Sequence, residues 1–304
     1  MLRAILLMTA LGSLVPLGAA RAEDAASGAP HPAPGMSADG TGGSGGGAEL
    51  PNLKGLTLFL DAGHGGLVEG AIGVHGEKEK RISLQIVLRL RDELQKAGAK
   101  VLLTRGSDVD VDLWDRMAWA NRAHADLFLS VHCNAVPPQE SGRALSHGVE
   151  TYFLSADATA EQAQRVVALE NGEARRLKRS ADPLASILDD LAQTEAHHDA
   201  SALAYAVHQH LVKDLGAADR GVQQAPFVVL MGAQMPAVLV EVGFLTHPAE
   251  SKLLASEAYQ SRIASALLAG IAAFVEERRH KPSNEVSPPA TGGGDAKAAT
   301  APVR

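Results

Sequence analysis

Apolar and polar positions along the middle of this chain alternate between two periods. Residues 56–60 form a short apolar run that ends at Asp61 and is broken by Gly63, Gly65 and Gly66, which predicts a buried strand feeding a tight loop. From 79 to 97, Ile82, Ile86, Leu90, Leu94 and Ala97 recur at helical spacing, and Gly98 follows where a helix prefers to end. Residues 100–104 predict a second strand, 112–124 a helix, and 126–132 a third strand that stays apolar until its end. Strand, helix, strand, helix, strand argues for an α/β domain with a largely parallel sheet.

Further along, 149–154 predicts a fourth strand, 200–215 a helix, and 227–230 and 237–242 the last strands. Tyr259, Ile263, Leu267, Ile271 and Phe274 make a closing amphipathic helix. Between the fourth strand and the helix near 200 lies a charged, helix-prone stretch, 158–194, longer than a connection needs. Within it Leu184, Ile187, Leu188 and Leu191 fall on one helical stripe. That stripe either packs on the domain's own core, leaving the acidic residues as a solvated face, or belongs to a lid.

The two ends differ from the middle. Residues 1–22 carry Arg3, an apolar run and Ala20-Arg21-Ala22, the pattern of a cleaved secretory signal. Residues 23–50 and 281–304 are rich in Gly, Ala, Pro and Ser, a composition that buries too little apolar surface to offset ordering entropy, so both are expected to be disordered. Residues 51–280 remain as the folded unit, and no second membrane segment is expected after signal cleavage. Cys133 is the only cysteine, so no intrachain disulfide is available in an oxidising compartment. A net charge of -7 gives no sign of nucleic-acid binding.

Three polar residues stand where strands end: His64 after the first, His132 closing the third, Glu241 near the end of the last. Ligands of open α/β sheets bind at the carboxyl ends of strands, so these residues can converge, and Glu79 at the start of the first helix can join them. Two histidines and a carboxylate are a known catalytic zinc set with a fourth position open. A second carboxylate is then needed to move a proton from water to the leaving nitrogen, a role that suits Glu241. Taken singly, each histidine is more often a hydrogen-bonded structural residue, and Glu79 a favourable charge at a helix start. Glu241 is harder to dismiss, because the apolar residues 236–240 lead straight into it and a buried, unpartnered carboxylate is costly. His75, in a glycine-containing loop, is a candidate substrate contact. His197 and His198 lie in a polar stretch that predicts solvated side chains.

At these residues the chain resembles the zinc-dependent N-acetylmuramoyl-L-alanine amidases, in particular their cell-division branch. The resemblance is carried by Asp61-Ala62-Gly63-His64-Gly65-Gly66, Lys78-Glu79-Lys80, Ser130-Val131-His132-Cys133-Asn134-Ala135 and Val240-Glu241-Val242-Gly243-Phe244-Leu245. Leu113-Trp114-Asp115-Arg116, Ala120-Asn121 and Gly148-Val149-Glu150 fit it as well. Ala62 stands where proline is usual, and Thr246-His247 departs from the usual ending. Members of the branch often carry an N-terminal targeting domain, in place of which only the linker precedes Pro51.

The resemblance implies a mixed, mainly parallel central sheet flanked by helices, with a helical regulatory insertion. It also implies one zinc on His64, Glu79 and His132, Glu241 as the catalytic base, Asn134 as a substrate contact, and peptidoglycan as substrate in the periplasm. Division amidases carry a helical insertion that covers the site until a protein activator withdraws it. Glu170 is the first candidate for a glutamate that plugs the zinc, Glu173 the second. Rival readings are a zinc peptidase or deacetylase acting on another amide, and an inactive wall-binding or activator protein. The first has the same catalytic parts; the second usually lacks one of the four residues kept here.

Overall fold

A computed structural model of the chain describes residues 50–172 and 195–280, the side chain of Glu195 excepted. The expected signal peptide, most of the linker, the tail, Glu173 and the leucine stripe at 184–191 lie outside these residues.

Six strands form one sheet: β1 (Thr57–Ala62), β2 (Lys100–Leu103), β3 (Leu127–Asn134), β4 (Val149–Leu154), β5 (Asp219–Ala225) and β6 (Ala237–Phe244). Their order is β2-β1-β3-β6-β4-β5. Every neighbouring pair is parallel except β4 with β6. The sheet is therefore mixed and mainly parallel. The carboxyl ends of β1, β3 and β6 share one edge, and reversal of β4 brings its amino end to that same edge.

Six helices accompany the sheet among the described residues: α1 (Glu79–Lys96), α2 (Leu113–Arg122), α3 (Glu161–Glu170), α4 (Glu195–Leu215), α5 (Pro248–Leu254) and α6 (Glu257–His280). The period of two along each strand decides which helices it meets. Leu58, Leu60, Leu129, Val131, Val238 and Val240 join the core with Ile86 and Leu90 of α1, Val207 of α4 and Ile271 of α6. Phe59, Phe128, Tyr152 and Leu239 face the other way, onto Met117 of α2 and Ala163 and Val166 of α3. Full burial of each Leu or Ile stabilises the fold by about 1.5–3 kcal/mol. Asp61, His132, Glu241 and Glu150 follow the parity of the second set. The polar strand residues thus point to the face that α2 and α3 cover.

The structure departs from expectation at several elements. Residues 227–230 are not a strand; Val228–Leu230 is a single 3-10 turn after Pro226, buried beneath α2. An apolar run of that length fits a buried turn as well as a buried strand. β5 was not expected, because Asp219–Ala225 is polar and forms the half-buried edge of the sheet. His197 is half-buried rather than solvated, with Nε2 2.8 Å from the Leu154 carbonyl. α6 is long and apolar enough to cross a membrane by length and composition alone. Here Ile263, Leu267, Ile271 and Phe274 are buried in the core shared with α1 and α4.

Candidate metal centre

The loop after β1 is shaped by buried charge. Asp61 accepts from Thr104 Oγ1 at 2.6 Å, Ser130 Oγ at 2.6 Å and Arg116 Nη1 at 2.8 Å. Burial pushes the Asp61 carboxyl up, but the Arg116 guanidinium and the two hydroxyls together hold it below the usual range. Arg116 also donates to the carbonyls of Ala62 at 2.8 Å and His64 at 3.0 Å, and Arg105 donates to Ala62 and Gly63. These bonds support His64 at φ 60, a backbone region that non-glycine residues seldom adopt. A Cβ on Gly63 would come within 2.4 Å of the His132 ring, and one on Gly70 within 2.5 Å of Glu79 Oε2. Main chain therefore closes tightly on the side chains of the site.

His64, Glu79, His132 and Glu170 meet there, all buried, with one ligand-type atom of each within 4.8 Å of the others. His64 Nε2 lies 2.9 Å from Glu79 Oε2 and 3.3 Å from Glu170 Oε2. His132 Nδ1 lies 3.0 Å from Glu79 Oε1 and 2.8 Å from Glu170 Oε2. Ala71 N and Cys133 N donate to the Glu79 carboxylate at 2.8 and 3.0 Å and fix its plane. Against burial, the Glu170 and Glu79 carboxylates push His132 up to about 10. The same contacts, opposing burial, draw Glu79 and Glu170 below the usual carboxylate range. Two carboxylates facing two imidazoles at this depth attract positive charge.

The donor set fits zinc. Imidazole nitrogen and carboxylate oxygen are its ordinary ligands at about 2.0–2.2 Å, which puts tetrahedral ligands about 3.3 Å apart. Glu170 Oε2 has no hydrogen-bond partner of good geometry although it lies 2.8 Å from His132 Nδ1. Such an approach without hydrogen-bond alignment suits two atoms that share a cation.

Glu241 lies beside the cluster. It pairs with His132 across β3 and β6 and is fully buried, and neither carboxylate oxygen has a hydrogen-bond partner among the described residues. Burial first, then the Glu170 carboxylate, raise its carboxyl well above the usual range, with His132 opposing. On the other side of Glu241, Glu150 is paired with it across β6 and β4. Glu150 Oε2 accepts from Asn134 Nδ2 at 2.8 Å and Tyr152 Oη at 2.6 Å, and Oε1 accepts from Arg220 Nε.

The structure thus gathers His64, Glu79, His132, Glu170 and Glu241 from five separate stretches of chain. Asn134 is buried, with its amide nitrogen on Glu150, and His75 is exposed on the loop before α1. A cavity of about 470 Å³, lined by Leu67, Ile72, Leu169 and the edges of His64, Glu79 and Glu170, opens beside the cluster. Glu150, Tyr152, Arg220 and Arg105 carried no role in the sequence reading. A carboxylate inside the fully buried strand β4 is a signal akin to the one that singled out Glu241.

A mainly parallel α/β sheet with a histidine–glutamate cluster at its strand ends, and a buried carboxylate alongside, defines the class as a hydrolase with a candidate zinc site. The N-acetylmuramoyl-L-alanine amidase family matches residues 58–273, and the chain belongs to that family. It is 32% identical over 226 residues to N-acetylmuramoyl-L-alanine amidase AmiA of Escherichia coli K12, covering 71% of this chain and 75% of that protein. It is 33% identical over 225 residues to the uncharacterized protein YqiI of Bacillus subtilis, covering 74% of this chain and 87% of that one. Among solved structures, AmiC2 of Nostoc punctiforme, an N-acetylmuramoyl-L-alanine amidase, matches with a TM-score of 0.56 at 28% identity, covering 73% of this chain and 97% of that chain.

Proposed function

We propose that this chain hydrolyses the amide between the lactyl group of N-acetylmuramic acid and the L-alanine of the stem peptide, remodelling peptidoglycan and separating daughter cells. The observation that carries the proposal is the pairing of the buried His64–Glu79–His132–Glu170 cluster with the unpartnered carboxylate of Glu241. His64 through Nε2, His132 through Nδ1 and Glu79 would hold the zinc. When bound, zinc supplies Lewis-acid polarisation of the carbonyl under attack and lowers the pKa of water at the site. Glu241 takes the proton of the attacking water as its oxygen bonds to the carbonyl carbon. It then passes that proton to the L-alanine nitrogen as the C–N bond breaks. Free oxygens on Glu241 suit this role, because a base already bonded to the protein would have to give up a partner first.

Glu170 is the removable fourth group in this reading. It is the last residue of α3, and its carboxylate lies 3.3 Å from His64 Nε2 and 2.8 Å from His132 Nδ1, which supports the reading that it takes the position a substrate carbonyl needs. A protein activator that draws α3 away would open the site. Export by the segment 1–22, a spacer at 23–50 and a periplasmic location complete the proposal; the AmiA and AmiC proteins that the chain resembles support it.

The test is digestion of a synthetic N-acetylmuramoyl-L-alanyl peptide alongside purified sacculi. The proposal expects peptides with a free L-alanine amino terminus and intact glycan strands. New reducing ends would mean a glycosidase, and cuts within the stem a peptidase.

A further inference from the structure

His132, Glu241 and Glu150 form a row across β3, β6 and β4, each directly opposite the next in the sheet register. Directly opposed residues share a face and lie within contact reach. The two carboxylates of this row have opposite fates although both are fully buried. Glu150 takes three donors: the Asn134 amide, the Tyr152 hydroxyl and the partly exposed Arg220 guanidinium, which also sits over the Phe244 ring at 4.9 Å. Glu241 has none among the described residues. Tyr152 stands opposite Leu239, one diagonal position from Glu241 on the same face of the sheet, a separation that aromatic side chains span.

A buried carboxylate with a donor in reach normally takes it, because the unpaired state costs the full desolvation of the group. The asymmetry therefore needs a cause, and Glu150 provides one. We infer that Glu150 is a positioning residue: by holding Asn134, Tyr152 and Arg220 it keeps the nearby donors away from Glu241 and leaves that carboxylate open to what enters the cleft. Arg220 compensates the buried charge of Glu150 from the edge of the sheet. Asn134 lies just past the register shift that follows His132, so the same network pins the end of β3. The inference rests on the amidase reading for the role of Glu241, but the sorting of donors is a property of the fold.

The test is Glu150→Gln in the full chain. The amide side chain keeps the shape, brings a donor beside Glu241 and releases Arg220. The variant should keep its zinc and its KM and lose about tenfold to a hundredfold in kcat, the scale of one hydrogen bond to a charged group. In a Glu241→Gln background the same change should lower the residual rate no further. A crystal structure of Glu150→Gln should show a side-chain donor within hydrogen-bond distance of Glu241. Should that variant not accumulate as folded protein, Arg220→Gln, at the exposed end of the network, should give the same loss confined to kcat. Unchanged kcat, loss of zinc, a raised KM, or an equal further loss in the Glu241→Gln background would overturn the inference. A wild-type chain that leaves the muramoyl–L-alanine bond intact would overturn the amidase reading instead. The crystal structure would still decide the donor sorting: a Glu241 without a new donor would refute it.

Discussion

The fourth group of the cluster makes the most demanding prediction. Glu170→Ala removes the carboxylate that lies 2.8 Å from His132 and 3.3 Å from His64 and leaves the other three groups in place. An interaction with a charged partner contributes about 1.5–3 kcal/mol. At about 1.4 kcal/mol per factor of ten, loss of that hold should raise the open fraction, and with it the activity, about 10- to 150-fold. Helix α3 has other anchors, which limit the rise. Ala163 and Val166 are buried in the core. Asn171 donates to the Pro226 carbonyl at 2.8 Å and accepts from Val228 N at 2.9 Å. The assay is release of dye-labelled fragments from sacculi by the purified chain without a partner, with zinc content measured on the same samples. Unchanged activity in a variant that keeps its zinc would refute the plug. Loss of zinc together with activity would make Glu170 a permanent ligand, and the reasoning would fail in a different place.

Other substitutions probe the remaining parts. Asn171→Ala removes two neutral bonds that hold α3, about 1 kcal/mol each, and should activate the lone enzyme about 10- to 30-fold in the same release assay. Glu241→Gln should retain zinc by elemental analysis and lose on the order of a hundredfold or more in rate. His64→Ala and His132→Ala should each lose most of the metal and the activity; full zinc content in both would sink the assignment. Arg116→Met strands the fully buried Asp61 and should cost about 3–5 kcal/mol in urea denaturation. Asp61 also sets an acid limit. Its folded pKa lies below the unfolded value, so its stabilisation is complete above about pH 4 and fades as pH falls through the lower folded value. Asp61→Asn should therefore show a urea midpoint less sensitive to acid than wild type between about pH 5 and pH 3, and an equal slope would contradict the sign.

The parts of this fold that were legible in the sequence are those where one period dominates. The apolar runs that stop at Asp61, His132 and Glu241 marked strands and also placed their polar ends at one edge, because parallel strands share a direction. Helix α1 was readable from Ile82, Ile86, Leu90 and Leu94, all of which are buried. β5 escaped because an edge strand needs no apolar alternation, and 227–230 misled because burial alone does not choose between strand and turn. α5 is short, and its start rests on His247, whose ring nitrogen caps Glu250 N at 3.2 Å, a cue too local for periodicity. In the site, the four strand-end and helix-start residues were visible one at a time. The Glu150 network was not, because two of its donors, Asn134 on β3 and Arg220 on β5, are brought to β4 only by the strand order, which no local pattern encodes.

The most direct measurement of the central claim is a zinc-edge anomalous diffraction map from crystals of the purified full chain. One peak per chain is expected, about 2.0–2.2 Å from His64 Nε2, His132 Nδ1 and Glu79, with Glu170 on the fourth side while α3 is in place. Zinc elsewhere in the chain, or no peak at these four residues in crystals of a preparation that cleaves peptidoglycan, would contradict it.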